Sequence, residues 1–166
     1  IEKDRQSMNY EINNLKIIVK DEVIDNIKKS YWSNLKYETG GILLGKFNRK
    51  NKLIEISEVY ELKTSLFSKI LYKRNARKAQ KIINKRWKET EGIINYIGEW
   101  HTHPNMLAHP SGTDINSLKE IHDKVKHVLP GTILIIAGKD ENINLIVQSG
   151  DIIEMRILSK EKERKE

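Results

Sequence analysis

The sequence of 166 residues contains no cysteine. That absence excludes a disulfide framework, a thiolate metal site and a cysteine nucleophile together, and it is compatible with a reducing, intracellular setting. Proline occurs only three times, so no proline-rich linker divides the chain. Long apolar runs are also missing. The longest, TILIIAG at 132–138, falls far short of the roughly 20 residues that cross a bilayer. The opening stretch IEKDRQSMNYEINN is charged and has no apolar core, which argues against a secretory signal. The expectation is a soluble cytoplasmic protein with no membrane partner. Because it opens on Ile1 rather than Met, it is also expected to be part of something longer.

What the chain has is length for one ordinary domain with a real core, 38% hydrophobic and 32% charged residues, and a net charge of +7. Such a balance fits an acidic partner, a nucleic acid or simply a lysine-covered surface. The excess is concentrated. Nine basic residues and no acid lie between Lys69 and Lys88. They fall opposite an apolar stripe, as on any solvated helix, and with Tyr72 and Trp87 as the two aromatic residues there is no regular aromatic interleaving for base stacking. A binding module that uses 69–88 on nucleic acid therefore ranks second to the reading developed below; a third use of this segment is docking an acidic protein face.

Periodicity organises the rest. NLKIIVK (14–20) reads as a strand. DEVIDNIKKSYW (21–32) reads as a helix with acids in its first turn and Val23, Ile24, Ile27 and Tyr31 inward. GGILLGKF (40–47) and KLIEISEVYEL (52–62) read as paired strands, and residues 63–71 as a loop. A helix is expected from 72 to 89, with Ala76, Ala79, Ile83 and Trp87 as its apolar stripe. A strand follows at 92–103, then a loop from Pro104 to Gly112. The next helix is expected at 113–128, with Ile115, Leu118, Ile121, Val125 and Val128 inward. Three closing strands follow the Pro130-Gly131 break. The fold class is α/β, a central sheet packed by two to three helices. Residues 1–13 read as an N-terminal extension, 14–158 as the domain and 159–166 as a charged tail.

Three of the five histidines fall within GEWHTHPNMLAHPSGTD, residues 98–114. On a strand, alternate side chains share a face, so His101 and His103 project together. Two imidazoles held in that way form a natural pair of first-row metal ligands, and Asp114, at the start of the following helix, can supply a carboxylate. Two histidines, one carboxylate and no thiolate leave a fourth zinc position for water, the pattern of a catalytic site. A general base is then required. Glu99 shares the strand face of the histidines, whereas Glu38 reaches them only if its strand is a neighbour; alternation alone favours Glu99. Ser111 can donate to a developing oxyanion. Ser111-x-x-Asp114 equally fits a helix capping box with no chemistry attached, and the two roles do not exclude each other. His109, His122 and His127 read as ordinary surface or core residues.

The stretch HTHPNMLAHPSGTD resembles the JAMM motif of the MPN/JAB metalloprotease family: His-x-His, seven residues, Ser-x-x-Asp. ETGGILLGKF is similar to the upstream segment that carries that family's glutamate, with Glu38 at the matching position. The similarity spans roughly 14 to 157 and no motif position is missing. It implies a mixed, mostly antiparallel sheet with zinc at the sheet edge. It implies one Zn2+ on His101, His103 and Asp114, Glu38 as general base, and Ser111 steadying the tetrahedral intermediate. Glu99 is left as a group orienting a histidine, and Met106 and Leu107 as lining for an extended substrate tail. The implied activity is that of an isopeptidase or peptidase acting after the C-terminal residue of a ubiquitin-like protein. The chain looks most like stand-alone prokaryotic members, some of them found beside ubiquitin-activating-like enzymes in antiphage (antiviral) defence operons. Family members that serve only as scaffolds have lost motif residues; this chain keeps all five.

Overall fold

The computed structural model describes residues 6–62 and 69–158, with side chains left undescribed for 69–74. Eleven elements alternate along the chain: β1 (Ser7–Ile12), β2 (Leu15–Lys20), α1 (Asp21–Ser33), β3 (Gly40–Asn48), β4 (Leu53–Glu61), α2 (Lys69–Glu89), β5 (Asn95–Thr102), α3 (Gly112–Val125), β6 (Thr132–Ala137), β7 (Ile143–Ser149) and β8 (Ile152–Ile157). The strands form one sheet in the order β1-β2-β4-β3-β5-β6-β7-β8. Only β2–β4 and β5–β6 are parallel; the other five pairings are antiparallel. The expected mixed, mostly antiparallel sheet forms, and of the expected two to three helices three are present among the described residues.

Alternation divides the sheet's side chains between two covers. On β6, Ile133, Ile135 and Ala137 enter one apolar cluster, together with α1's Val23, Ile24, Ile27 and Tyr31. Leu134 and Ile136 point the other way, to Leu118 of α3. Ile42 and Leu44 of β3 meet Ala79, Ile82 and Ile83 of α2 on that second side. A strand buried on both faces favours apolar residues on both, which is why Ile133–Ala137 of β6 and Leu145–Val147 of β7 are continuous hydrophobic runs. α1 begins with Asp21 and Glu22 in its first turn, where acids oppose the helix dipole favourably, and its four expected inward residues are all buried.

Four expectations change. Residues 1–13 are more than an extension, because Ser7–Ile12 pairs with β2 as the sheet's edge strand; its polar alternate positions hid it. α3 stops at Val125, so Val128 lies past the helix and is 57% exposed. Trp87 is 54% exposed rather than inward, its ring lying over Gly92. Of the segment 63–71, residues 69–71 belong to α2, while 63–68 and the tail 159–166 lie outside the described residues. No described helix is long and apolar enough to cross a membrane.

Candidate metal centre

His101 is the penultimate residue of β5 and His103 follows its end, so strand alternation places both rings on the side covered by α2 and α3. Their ring centroids are 5.1 Å apart. Asp114 arrives from α3, whose N-terminus is fixed by a reciprocal capping box. The Asp114 N–H donates to Ser111 Oγ at 3.1 Å, and the Ser111 N–H donates to Asp114 Oδ2 at 2.8 Å. The carboxylate is thereby aimed at both rings, with Oδ1 3.1 Å from His101 Nε2 and Oδ2 3.3 Å from His103 Nε2. The ligand atoms of His101, His103 and Asp114 all lie within 4.8 Å of one another.

The donor chemistry tests whether a cation fits. His103 Nδ1 lies 3.2 Å from the Leu107 carbonyl. A carbonyl only accepts, so in the neutral ring Nδ1 carries the proton and Nε2 presents a lone pair. That lone pair faces the Asp114 carboxylate, another acceptor. A cation between them removes the conflict. Bonds of about 2.0–2.1 Å in a tetrahedral site separate ligands by roughly 3.3 Å, close to the two nitrogen–oxygen separations here. Burial holds His101 below the ordinary imidazole value despite the opposing pull of Asp114, which keeps the ring in its metal-binding form. At Asp114, burial pushes upward, but the Ser111 N–H and His101 outweigh it and keep the carboxyl below its usual value. The residues fit a divalent metal.

Glu38 sits outside β3, yet the register brings it in. Gly40 pairs with His101. Thr39 then clamps Thr102, its N–H donating to Thr102 Oγ1 at 3.0 Å and its carbonyl accepting the Thr102 N–H at 2.9 Å. One more step sets Glu38 opposite His103, on the same face. Thr39 Oγ1 also donates to Glu61, which takes Ser30 Oγ and Asn34 Nδ2 as well. The segment bearing Glu38 is thus tied to α1, β4 and β5 together. Glu38 is exposed and lines a groove of about 540 Å³ with His101 and Asp114.

The cluster lies at the carboxyl end of β5, in the middle of the strand order. The candidate ligands stand at a strand end rather than on an edge strand, because β6, β7 and β8 extend the sheet beyond β5. Glu99 reaches neither histidine. Its Oε2 accepts from Tyr96 Oη at 2.9 Å, and burial pushes its carboxyl above the usual value. The orienting partner of His103 is Leu107's carbonyl instead. Met106 and Leu107 are 62% and 54% exposed on a loop whose backbone is pinned: Lys139 N–H to Met106 carbonyl at 2.7 Å, Asn144 Nδ2 to Ala108 carbonyl at 2.7 Å, and Asn105 N–H to Tyr31 Oη at 3.0 Å. His122 is buried against Thr132, and His109 and His127 are exposed.

Sequence reasoning passed over Gly40. A Cβ there would stand 2.8 Å from His101 Cβ and 2.4 Å from the Trp100 carbonyl, so only glycine leaves the His101 ring its place. The paired glycines of TGG, beside a candidate base, were the available signal. Along α2, Arg77, Lys78, Lys81, Lys85 and Lys88 are exposed, whereas Arg86 is bound to Glu58 and Glu89.

Residues 20–149 match the family of prokaryotic homologs of the JAB domain. The chain belongs to that family. Among relatives of this JAB chain, a CD-NTase/cGAS isopeptidase of Pseudomonas aeruginosa is 33% identical over 68% of the chain and 71% of its own length. One of the same name from Enterobacter hormaechei is 32% identical over 62% of the chain and 56% of its own length. A probable metalloprotease, y4qB, of Sinorhizobium fredii is 26% identical over 76% of the chain and 78% of its own length. Those names, with the JAB domain, support a hydrolase of the isopeptidase and metalloprotease kind, and the His101-His103-Asp114 group points to a metal ion.

Proposed function

We propose that this JAB domain is a zinc-dependent isopeptidase that cleaves after the carboxyl-terminal residue of a ubiquitin-like protein or a comparable protein tail. The observation that carries this reading is the Nε2 lone pair of His103 turned toward Asp114, beside His101, at spacings a tetrahedral cation would span. One Zn2+ per chain, held by His101, His103 and Asp114, would polarise the scissile carbonyl and lower the pKa of a water toward ~7.

The chain's own residues would do the rest. Glu38, on the groove wall next to the cluster, accepts a proton from the attacking water and returns it to the leaving nitrogen. Water is added across the carbon–nitrogen bond: oxygen to the carbonyl carbon, hydrogen to the amine. Ser111 Oγ is an acceptor in the capping box, so its own hydroxyl proton is left to steady the developing oxyanion. The capping box and the oxyanion role are therefore compatible in one residue. Met106 and Leu107, exposed beside His103, would meet the apolar part of the acyl tail, and an extended tail would lie along them.

The name shared by the relatives, CD-NTase/cGAS isopeptidase, supports a conjugated CD-NTase as the protein released, alongside a ubiquitin-like protein. A ubiquitin-activating-like or conjugating enzyme in the same cytoplasm would then make the bond that this domain breaks, in an antiviral defence setting. The test is elemental zinc per chain together with cleavage of such a conjugate. Wild type should carry near-stoichiometric zinc and release both partners intact. Glu38→Ala should keep zinc without turnover. Full activity in Glu38→Ala, with none in Glu99→Ala, would overturn the assignment of the base.

A further inference from the structure

The two edges of the sheet are finished differently. On β1 the exposed positions are Asn9 and Glu11, and the apolar Ile12 is buried. On β8 the exposed residues are Ile152, Met155 and Ile157, at 44%, 40% and 64%. Lysines, prolines and bulges are the usual means of keeping an open edge from pairing with another chain. β8 holds no lysine or proline, and it pairs with β7 without a register shift. Its two charged residues, Glu154 and Arg156, are bound to each other at 3.0 Å.

Hydrogen-bond parity restricts what can pair there. The Leu158 N–H donates to the Ile143 carbonyl at 2.9 Å, one step beyond the Asn144–Ile157 pair of the ladder. An antiparallel ladder alternates, so Glu154 and Arg156 also turn their backbone groups toward β7. Ile153, Met155 and Ile157 turn theirs to the open side. A second copy of β8 laid antiparallel must match outward residues with outward residues, so the two-fold axis passes through a residue position. Three positions are central. An axis at 154 sets the two Glu154 carboxylates against each other, and an axis at 156 does the same to the two Arg156 guanidiniums. An axis at Met155 sets each Glu154 opposite the other copy's Arg156, Ile153 opposite Ile157, and Met155 opposite itself. Opposite charges and apolar pairs directly across a ladder are both stabilising. In that register the three outward residues of each copy exchange all of their free backbone bonds. Read outward from Met155, IIEMRI is its own complement, which is what an isologous interface requires.

We infer that β8 is a homodimer interface: two copies pair antiparallel about Met155, and their eight-stranded sheets join edge to edge. The inference is independent of the chemistry at the metal centre, since β6 and β7 separate β8 from β5. A single strand pair is smaller than a standard interface, so the association is weak and depends on concentration.

Analytical ultracentrifugation of the full chain, from micromolar to millimolar concentration, tests it. Wild type should pass from monomer to dimer and no further. Glu154→Arg and Arg156→Glu each set like charges across the axis, and each alone should stay monomeric. Mixed in equal amounts the two variants should dimerise again, because an all-acidic strand then meets an all-basic one. Recovery on mixing also shows that neither variant had merely misfolded. Met155→Pro removes an outward N–H and no bond to β7, a change an edge strand tolerates; it should abolish the dimer and keep the far-UV spectrum. A wild-type chain that is monomeric throughout, or a dimer that survives Met155→Pro or either charge variant, overturns the inference. So does an assembly that keeps growing, the mark of β8 meeting β1 of the next copy. If the chain dimerises only once residues 159–166 are removed, the tail is the occupant of this edge and the inference falls.

Discussion

The two faces of the sheet are built to different ends. Under α1, a single cluster runs from Ile12 and Leu15 through Leu43, Ile97 and Ile135 to Val147. Under α2 and α3 the apolar residues split into two smaller groups, around Ile42 and Leu44 and around Leu118 and Ile136. The groove, the histidines and the Glu99 carboxylate all lie on that divided side. The continuous face supplies the cooperative core that holds β3, β5 and β6 in register. The divided face can then carry polar groups and open space that a close-packed layer would exclude. Stability and chemistry are separated by the pleat of the same strands.

Substitutions on the divided face should cost function before they cost fold. The largest effect is expected at Asp114. Asp114→Ala removes a candidate ligand and half of the capping box, so zinc content and turnover should both be lost while the far-UV spectrum is kept; retained stoichiometric zinc would contradict the ligand set. Glu38→Ala should lower the rate by about 10²–10⁴-fold with zinc unchanged, measured by single-turnover cleavage and elemental analysis.

The continuous face should behave in the opposite manner. Ile135, 0% exposed, should cost about 2–5 kcal/mol when cut to alanine, read by urea denaturation. Ile83→Ala, on the partly open groove wall, should cost about 1 kcal/mol or less. If Ile83→Ala proved as damaging as Ile135→Ala, the contrast between the faces would fail.

A smaller effect concerns His122, buried between α3 and β6 with Nδ1 2.8 Å from Thr132 Oγ1. Burial holds it below its ordinary value of 6.5, so the unfolded chain takes up the proton more readily than the folded one. Its contribution is therefore present above pH 6.5 and lost as pH falls toward the lowered folded value. The metal-free protein should melt at progressively lower temperature below that pH, and His122→Gln should flatten the slope. An unchanged slope would mean that other groups set it.

Much of this was readable in one dimension because the forces concerned are local. His-x-His on a strand has only one geometric outcome, two rings on one face, and Ser111-x-x-Asp114 at the start of a helix closes its capping box whatever else the chain does. Val23, Ile24, Ile27 and Tyr31 announced α1's buried side by spacing alone. β1 was not readable in the same way. An edge strand needs only one bonded neighbour, and its half-exposed residues resemble a tail.

Register decided the remainder. Alternation placed Glu99 with the histidines, correctly for the face and misleadingly for contact, since its carboxylate turns to Tyr96. Resemblance, not periodicity, singled out Glu38, and only the antiparallel pairing of β3 with β5, locked by Thr39 and Thr102, puts it beside the centre. So the sequence by itself determined the donor types, their shared face and the capped helix that delivers Asp114, because each depends on neighbours a few residues away. The tertiary structure alone decided that strand register sets Glu38 opposite His103 while Glu99 turns to Tyr96, why Gly40 must be glycine, and that a carboxylate-floored groove opens on one side of the centre. Those depend on which strands lie side by side, and hydrogen bonding between distant segments is written in no single stretch of the chain.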